Sequence, residues 1–333
     1  MRFCLDADQV ALRDAVRDML ALECPPALVR AAWPPGDPAA VAALWRDLAR
    51  MGLFGAAVPI HCGGLGLGET DLVPILTEVG YAAVPLPVAE TMAVAAPLLA
   101  ATGDPGGYLP GVLAGTTRVA IAGAGDLVPY GMLADLVLVL RDGRARIVEP
   151  LTTAVVSTVD GSRAAARLAL PSAGTVTDDP ELVDLCLDRA DLATAAQLLG
   201  LGRRMLDLTV GYVGTRRQFG APIGSFQAVQ HRLADALLGL EFAMPAVLAA
   251  GWALAHRTGS RRQDVSIAVL LAGDAARTMA KTAIQCHGAI GYTVEYDLHL
   301  YAKRTWALAA SCGTDSHLDR LAAALDLPKG GFP

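Results

Sequence analysis

The sequence predicts a mainly α-helical protein with a small antiparallel β domain in its middle, and three observations carry that prediction. Apolar residues recur at helical spacing from Asp6 to about Gly115, and again from about Pro180 to Leu325. From about Arg118 to Pro171 the period shortens to the alternation of strands. No run of βαβ units is present, which disfavours a Rossmann fold. The expected division is an N-terminal helical domain over 1–115, a shortened middle β domain over 116–175 and a C-terminal four-helix bundle over 176–333.

Within the first zone, Val10, Leu12, Val16, Met19 and Leu20 mark one helix, with Asp and Arg between them. A second helix is expected over Pro38 to Met51 and a third over Glu69 to Val79. Between these two lies Cys62-Gly63-Gly64-Leu65-Gly66-Leu67-Gly68, which reads as a loop; no strand precedes it, so it is not a dinucleotide fingerprint. In the second zone Arg118–Ala122 is a short strand. Leu136–Leu140 and Ala145–Val148 flank Asp142-Gly143, a strong hairpin signal. Ala165, Arg167, Leu168 and Leu170 alternate weakly before Pro171. In the third zone Leu192, Ala195, Ala196, Leu199 and Leu206 give one long helix its buried stripe, followed by helices over 226–256, 262–287 and 314–325. Long apolar-faced helices with short polar turns make a bundle.

Composition narrows the function. Lys plus Arg is 27 and Asp plus Glu is 33, a formal charge of −6 that argues against nucleic acid or an anionic membrane as partner. Hydrophobic residues reach 53% and charged residues 18%, which excludes disorder. The uncharged runs fall short of the roughly 20 residues a span requires, and Pro245 interrupts the one over Phe242–Ala255. No basic n-region followed by an apolar h-region opens the sequence, so a signal peptide is not expected. The cysteines at 4, 24, 62, 186, 286 and 312 lack CxxC spacing and read as reduced thiols, not as a disulfide framework or zinc site. A cytoplasmic protein without a metal is expected. The third zone is too apolar for an isolated bundle, which points to subunit contacts.

Two stretches carry chemistry. Across Tyr212–Gln227 a helix ends near Thr215, Arg216 and Arg217 follow, and after a Gly/Pro turn a new helix begins with Ser225 as N-cap. An arginine beside a helix N-terminus suits a phosphate; the competing reading is a charged turn with a buried Phe219. Across Gln285–Arg304, small residues after a long helix allow a ligand or a second backbone to approach. His287 and His299 read there as structural.

Taken together, the pattern RRQFGxPIGxFQ and, about sixty residues later, QxHGxxGYTxExDLHLYxKR resemble the C-terminal domain of acyl-CoA dehydrogenases. Gly63-Gly64-Leu65-Gly66-Leu67-Gly68 with Asp71 resembles the same family's GGxGLGxxD loop. The resemblance implies the acyl-CoA dehydrogenase-like fold, with the bundle as dimerisation core and FAD lying across a subunit interface. It places Arg216 at the pyrophosphate with Phe219 and Gln227 nearby, reaching flavin held mainly by a neighbouring subunit. Gln285 and the Gly288-Ala289 turn would line the adenosine side, with Ala289 where the family has a second glycine.

Three departures shape the expected function. The β zone lacks the family's Thr-Glu-Pro…Gly-Ser and Trp-x-x-Asn-Gly segments; only Asp160-Gly161-Ser162-Arg163 echoes a family feature there. Pro59-Ile60-His61-Cys62 stands where the family has Pro-Glu. The third departure is the catalytic base, a carboxylate needed against the α-carbon of the thioester. Most relatives place Glu before Gly-Thr, where this chain has Cys312-Gly313-Thr314. A minority place it on the first bundle helix, where this chain has Ala190 followed by Asp191. Asp191 is the remaining candidate, about 100° round the helix and one methylene shorter than Glu. Glu295 and Asp297 read as structural, and Cys312 as a packed thiol in preference to a nucleophile.

The chain thus resembles the short actinobacterial subunits that pair with a different subunit in α2β2 complexes acting on bulky CoA esters such as sterol side chains. The expectation is a flavoprotein subunit for α,β-desaturation of an acyl-CoA or acyl-carrier-protein thioester. It would assemble as a homodimer or as a heterotetramer with a longer paralogue that supplies the base. The alternatives are a self-sufficient FAD-dependent dehydrogenase using Asp191, and a scaffold without redox activity acting as a binding subunit, cyclase or lyase.

Overall fold

The structure is a computed structural model that describes residues 3–33, 36, 38–123, 125–169 and 174–327. Helices α1 (Ala7–Glu23), α2 (Pro26–Ala31), α3 (Ala42–Arg50), α4 (Glu69–Tyr81), α5 (Ala96–Ala101) and α6 (Leu109–Leu113) come first. Strands β1 (Val119–Ala122), β2 (Leu127–Val128), β3 (Leu136–Arg141), β4 (Arg144–Val148), β5 (Leu151–Val155), β6 (Ala166–Ala169) and β7 (Thr175–Thr177) follow. Then come α7 (Pro180–Thr215), β8 (Arg217–Gln218), β9 (Ala221–Pro222), α8 (Gln227–Ala255), α9 (Arg261–His287), α10 (Leu298–Ser311) and α11 (Thr314–Ala324). The order of helices, sheet and bundle is the one the periodicity predicts. Leu170 and Pro171 lie outside the described residues.

One compact unit comprises Met19–Leu72 and Val84–Ala193. Here the glycine cluster is a locked element: Leu65, Gly66 and Leu67 N–H groups donate to the carbonyls of Gly55, Val58 and Ala56. A side chain at Gly64 would meet the Val58 carbonyl at 2.1 Å, so only glycine fits. Asp71, in the first turn of α4, accepts from the Gly68 N–H at 2.8 Å and ties the loop to the helix. Behind that turn Glu69 is buried and paired with Arg189 of α7 (Nη2 to Oε1, 2.6 Å). Residues Glu90–Ala95 form a π-helical turn that runs directly into α5.

The strands of this unit form two sheets, ordered β1-β3-β4-β7 and β2-β6-β5. Asp142 (φ +53°) and Gly143 (φ +66°) make the left-handed turn of the β3–β4 hairpin. Pairing is antiparallel except between β1 and β3, which are parallel. The exception arises because β2, which lies between them in sequence, joins the other sheet and lets the chain return in the same direction.

The second unit comprises Met1–Asp18, Val73–Ala83 and Thr194–Pro333. Asp6 and Gln9 exchange side-chain to N–H hydrogen bonds at 2.9 and 3.1 Å, a capping box that starts α1. Gly80 of α4 and Gly200 of α7 let those helices touch backbone to backbone: an added Cβ would lie 2.2 Å from the Gln197 carbonyl or 1.9 Å from that of Thr77. The α8–α9 pair buries Ala236, Ala243, Ala250, Ala272, Ala276 and Ala280. Small residues at that seam permit close packing and explain a bundle built with few aromatics.

Two local expectations are corrected. Pro245 does not interrupt its helix; α8 runs through it, losing one backbone hydrogen bond in 29 residues. By length and composition α8 could therefore cross a membrane (mean hydropathy 1.7), and 44% of that window is buried within the fold. Ser225 is not the N-cap of α8. Its hydroxyl donates back to the Pro222 carbonyl at 2.7 Å, closing a 3-10 turn, and extended Phe226 takes the cap position.

Candidate functional site

The RRQFG stretch is a hairpin, not a simple turn between helices. Arg217 pairs with Pro222 and Gln218 with Ala221. Phe219 (φ +52°) and Gly220 (φ +82°) form the two-residue turn, whose consecutive left-handed residues match the twist of a tight hairpin. Three side chains brace it: Arg217 Nη2 donates to the Gly220 carbonyl (3.0 Å), Gln230 Nε2 to that of Gly224 (3.0 Å), and Ser225 to Pro222 as above. Phe219 is not buried. It is 94% exposed at the tip, with only the edge of Phe226 beside it at 6.3 Å.

Tyr212, one turn before Arg216 on α7, stacks on His287 at the end of α9 (centroids 4.3 Å, planes 21° apart). Tyr296 packs against both rings, 4.9 Å from the imidazole and, edge-on, 5.9 Å from Tyr212. This cluster joins the two sequence stretches. It puts Arg216, Phe219 and Gln227 at the same end of the bundle as Gln285, Gly288 and Ala289, and all six are exposed. Gly288 sits at φ +67°, ψ −143°, a conformation closed to other residues, and the space beside its Cα is open. Gly291 is needed for packing, since a Cβ there would fall 2.9 Å from that of His287. Periodicity alone did not reveal Tyr212 and Tyr296; the i, i+4 spacing of Tyr212 and Arg216 was the available signal.

His287 is 5% exposed. Its Nδ1 bonds the Ala283 carbonyl at 2.7 Å, and Nε2 has no partner. Burial pushes its pKa down, against the raising effect of that carbonyl, so the neutral ring is held with Nδ1 as donor. Burial pushes the Cys286 thiol up, partly opposed by Arg232 of α8. Beside this end, Ala228, His231, Arg232, Asp235, Ala236, Thr278 and Thr282 line a surface groove of about 430 Å³.

Asp191 lies elsewhere, half-buried on the part of α7 that belongs to the first unit, two residues beyond the Glu69–Arg189 pair. Cys312 caps the end of α10, and its thiol donates to the Leu308 carbonyl at 3.2 Å. Asp297 occupies the N-cap position of α10, and Glu295 is exposed.

Known proteins share this architecture. Residues 182–325 match the family model described as acyl-CoA dehydrogenase, C-terminal domain, and residues 6–116 match the acyl-CoA dehydrogenase, N-terminal domain. The chain is 34% identical over 294 residues to acyl-CoA dehydrogenase IpdE2 of Mycobacterium tuberculosis, covering 88% of this chain and 89% of that protein. It is 36% identical over 302 residues to acyl-CoA dehydrogenase FadE34 of the same organism, covering 84% of this chain and 42% of that longer protein. Among solved structures, the Tcur3481–Tcur3483 steroid ACAD G363A variant superposes with a TM-score of 0.84 at 26% identity, over 96% of this chain and 98% of that one. The ChsE4–ChsE5 complex from Mycobacterium tuberculosis gives 0.84 at 25%, over 99% and 100%. The fold and the bundle-end motifs thus define an acyl-CoA dehydrogenase-type protein. The chain belongs to the acyl-CoA dehydrogenase family.

Proposed function

We propose that this chain is one subunit of an acyl-thioester α,β-dehydrogenase, and that a longer paralogue completes its active site. The observation that carries the reading is the outward placement of all six dinucleotide candidates at one end of the bundle, while Ala190 and Cys312 stand where relatives place the base. A site whose parts face outward is finished by another chain. The two similar structures, the Tcur3481–Tcur3483 steroid ACAD and the ChsE4–ChsE5 complex, each carry two named components, which supports the same reading. The three-domain division at 115/116 and 175/176 is part of this proposal.

FAD fits these residues at its dinucleotide end. Arg216 offers an exposed cation to the pyrophosphate, Gly288 leaves backbone open to close approach, and Gln227 and Gln285 supply amide hydrogen bonds. Phe219 presents an apolar tip for a pocket on the neighbouring subunit. The chemistry a bound FAD supplies is acceptance of a hydride from the β-carbon. The segments that hold the isoalloxazine are missing from this sequence, so that end of the site falls to the partner. Exposed Leu238 and Phe242 of α8, with Ile267 and Leu271 of α9, provide the apolar surface on which subunits join.

The test compares the protein purified alone with the protein co-expressed with its companion subunit, by visible flavin spectrum and by acyl-CoA-dependent reduction of an electron acceptor. The lone chain should be a homodimer without appreciable desaturase activity, because a missing general base is worth about 10²–10⁴-fold. The assembled protein should be active, and Asp191→Asn should change its rate little. Robust activity of the lone chain that Asp191→Asn abolishes would overturn the two-subunit reading. A monodisperse monomer at micromolar concentration would overturn the assembly.

A further inference from the structure

In the first unit, the loop around Tyr130 and the turn at 160–164 hold one another. Asp160 accepts from the Ser162 N–H (3.1 Å) and hydroxyl (2.6 Å), capping the single 3-10 turn Gly161–Arg163. The Tyr130 N–H donates to the Arg163 carbonyl, and the Met132 N–H to that of Ala164. Tyr130 (φ +59°) and Ala164 (φ +40°) are both left-handed. The clamp fixes the Arg163 side chain over the Tyr130 ring, 5.5 Å from its centroid.

Arg163 is only 9% exposed, and its Nε is sealed from solvent with no hydrogen-bond partner. Among the described residues no carboxylate pairs with it. Buried Asp160, in the same turn, accepts from Ser162, while Asp126 pairs with Arg167 and Asp135 with Arg118. Arg118 and Arg167 thus hold carboxylates directly, whereas buried Arg163 forms no ion pair with a described carboxylate. A buried guanidinium is normally paired, because taking the charge out of water is costly. An aromatic face attracts the cation but accepts no fork of hydrogen bonds.

We infer that Arg163 anchors an oxyanion site that takes the phosphate group of a ligand. Two phosphate oxygens match the fork of terminal guanidinium nitrogens. The charge of the phosphate offsets the buried cation. The site is separate from Arg216 and does not depend on the desaturase reading.

The test is calorimetric titration of the full chain with inorganic pyrophosphate, with CoA and with FAD, which separates the sources of the phosphate. Wild type should bind at least one of the three, and Arg163→Gln should weaken that binding about tenfold to a hundredfold. Arg163→Lys, which keeps the charge and loses the fork, should fall between. The ligand-free Arg163→Gln protein should melt no lower than wild type, because it has lost an unpaired buried charge. Absence of saturable binding by wild type, or equal binding by the variants, would overturn the site. So would a ligand-free Arg163→Gln protein that melts lower or fails to fold, since the guanidinium would then be structural. Weakened association with a companion subunit and no effect on phosphate binding would also overturn it, making a partner's carboxylate the counter-ion.

Discussion

Replacing Gly200 with alanine should destabilise the protein, although alanine is the better helix former. In a helix interior the exchange alone is worth about 1 kcal/mol in favour of alanine. Here the new Cβ would lie 1.9 Å from the Thr77 carbonyl oxygen, 2.6 Å from the Tyr81 nitrogen and 2.9 Å from the Thr77 carbonyl carbon. Carbon–oxygen contacts are comfortable near about 3.3 Å, so α4 and α7 must part by more than an ångström around residues 77–81. The atoms met are backbone, which cannot rotate aside. Overpacking with backbone movement costs about 1–3 kcal/mol and sometimes more, and this case belongs at the upper end. The net expectation is a loss of about 2 kcal/mol. With a urea m-value of about 3 kcal/mol per molar, the midpoint followed by circular dichroism falls by about 0.7 M at unchanged slope. Gly211, on the same helix, is the control: a Cβ there meets nothing within 4 Å, so Gly211→Ala should be neutral to stabilising. Equal shifts of the same sign in the two variants would refute the reasoning, as would any stabilisation by Gly200→Ala.

Further outcomes follow from other sites. Glu69→Gln should cost about 3–5 kcal/mol by leaving Arg189 unpaired in a buried position, whereas Glu69→Leu combined with Arg189→Met should recover most of the loss in denaturant titrations. His287 has its pKa lowered by burial, so the unfolded chain binds this proton more readily than the folded one. Its contribution to stability is complete above about pH 6.5 and declines as pH falls through the window below it. His287→Phe, which keeps the ring stack, should flatten the stability profile between about pH 7 and 5 by at most about 1.4 kcal/mol per pH unit; an unchanged slope would contradict the assignment. Arg216→Ala should weaken FAD retention in the complete assembly by about 1.5–3 kcal/mol without lowering the melting temperature, and equal FAD affinity would remove Arg216 from the cofactor site.

The parts of this fold that the sequence made legible are those with long periods or obligatory turn residues. The helices at 227–255 and 261–287 repeat their apolar faces many times over, and Asp142-Gly143 can do little except close a hairpin. Alternation marks a strand but says nothing of its neighbour, which is why β1 beside β3 in parallel was invisible. Two-residue strands have no period, so β8 and β9 escaped notice, and a phenylalanine at positive φ is not a turn signal one would choose. At the site, the motifs located Arg216 and Gly288 but not the stack of Tyr212, His287 and Tyr296 that gathers them. Burial depends on what the whole chain covers, so nothing local distinguished Arg163 from the exposed arginines around it.

The self-bracing of the β8–β9 hairpin bears on how fast subunits would meet. Its shape is held by hydrogen bonds from Arg217, Ser225 and Gln230 within the same chain, so little has to be ordered at the moment of encounter. Association of such preformed surfaces typically proceeds at about 10⁵–10⁷ M⁻¹ s⁻¹, limited by diffusion and orientation. Trimming the Phe219 ring should leave that step nearly untouched. The change should emerge as a shorter residence time, because the ring contributes only after the surfaces have met.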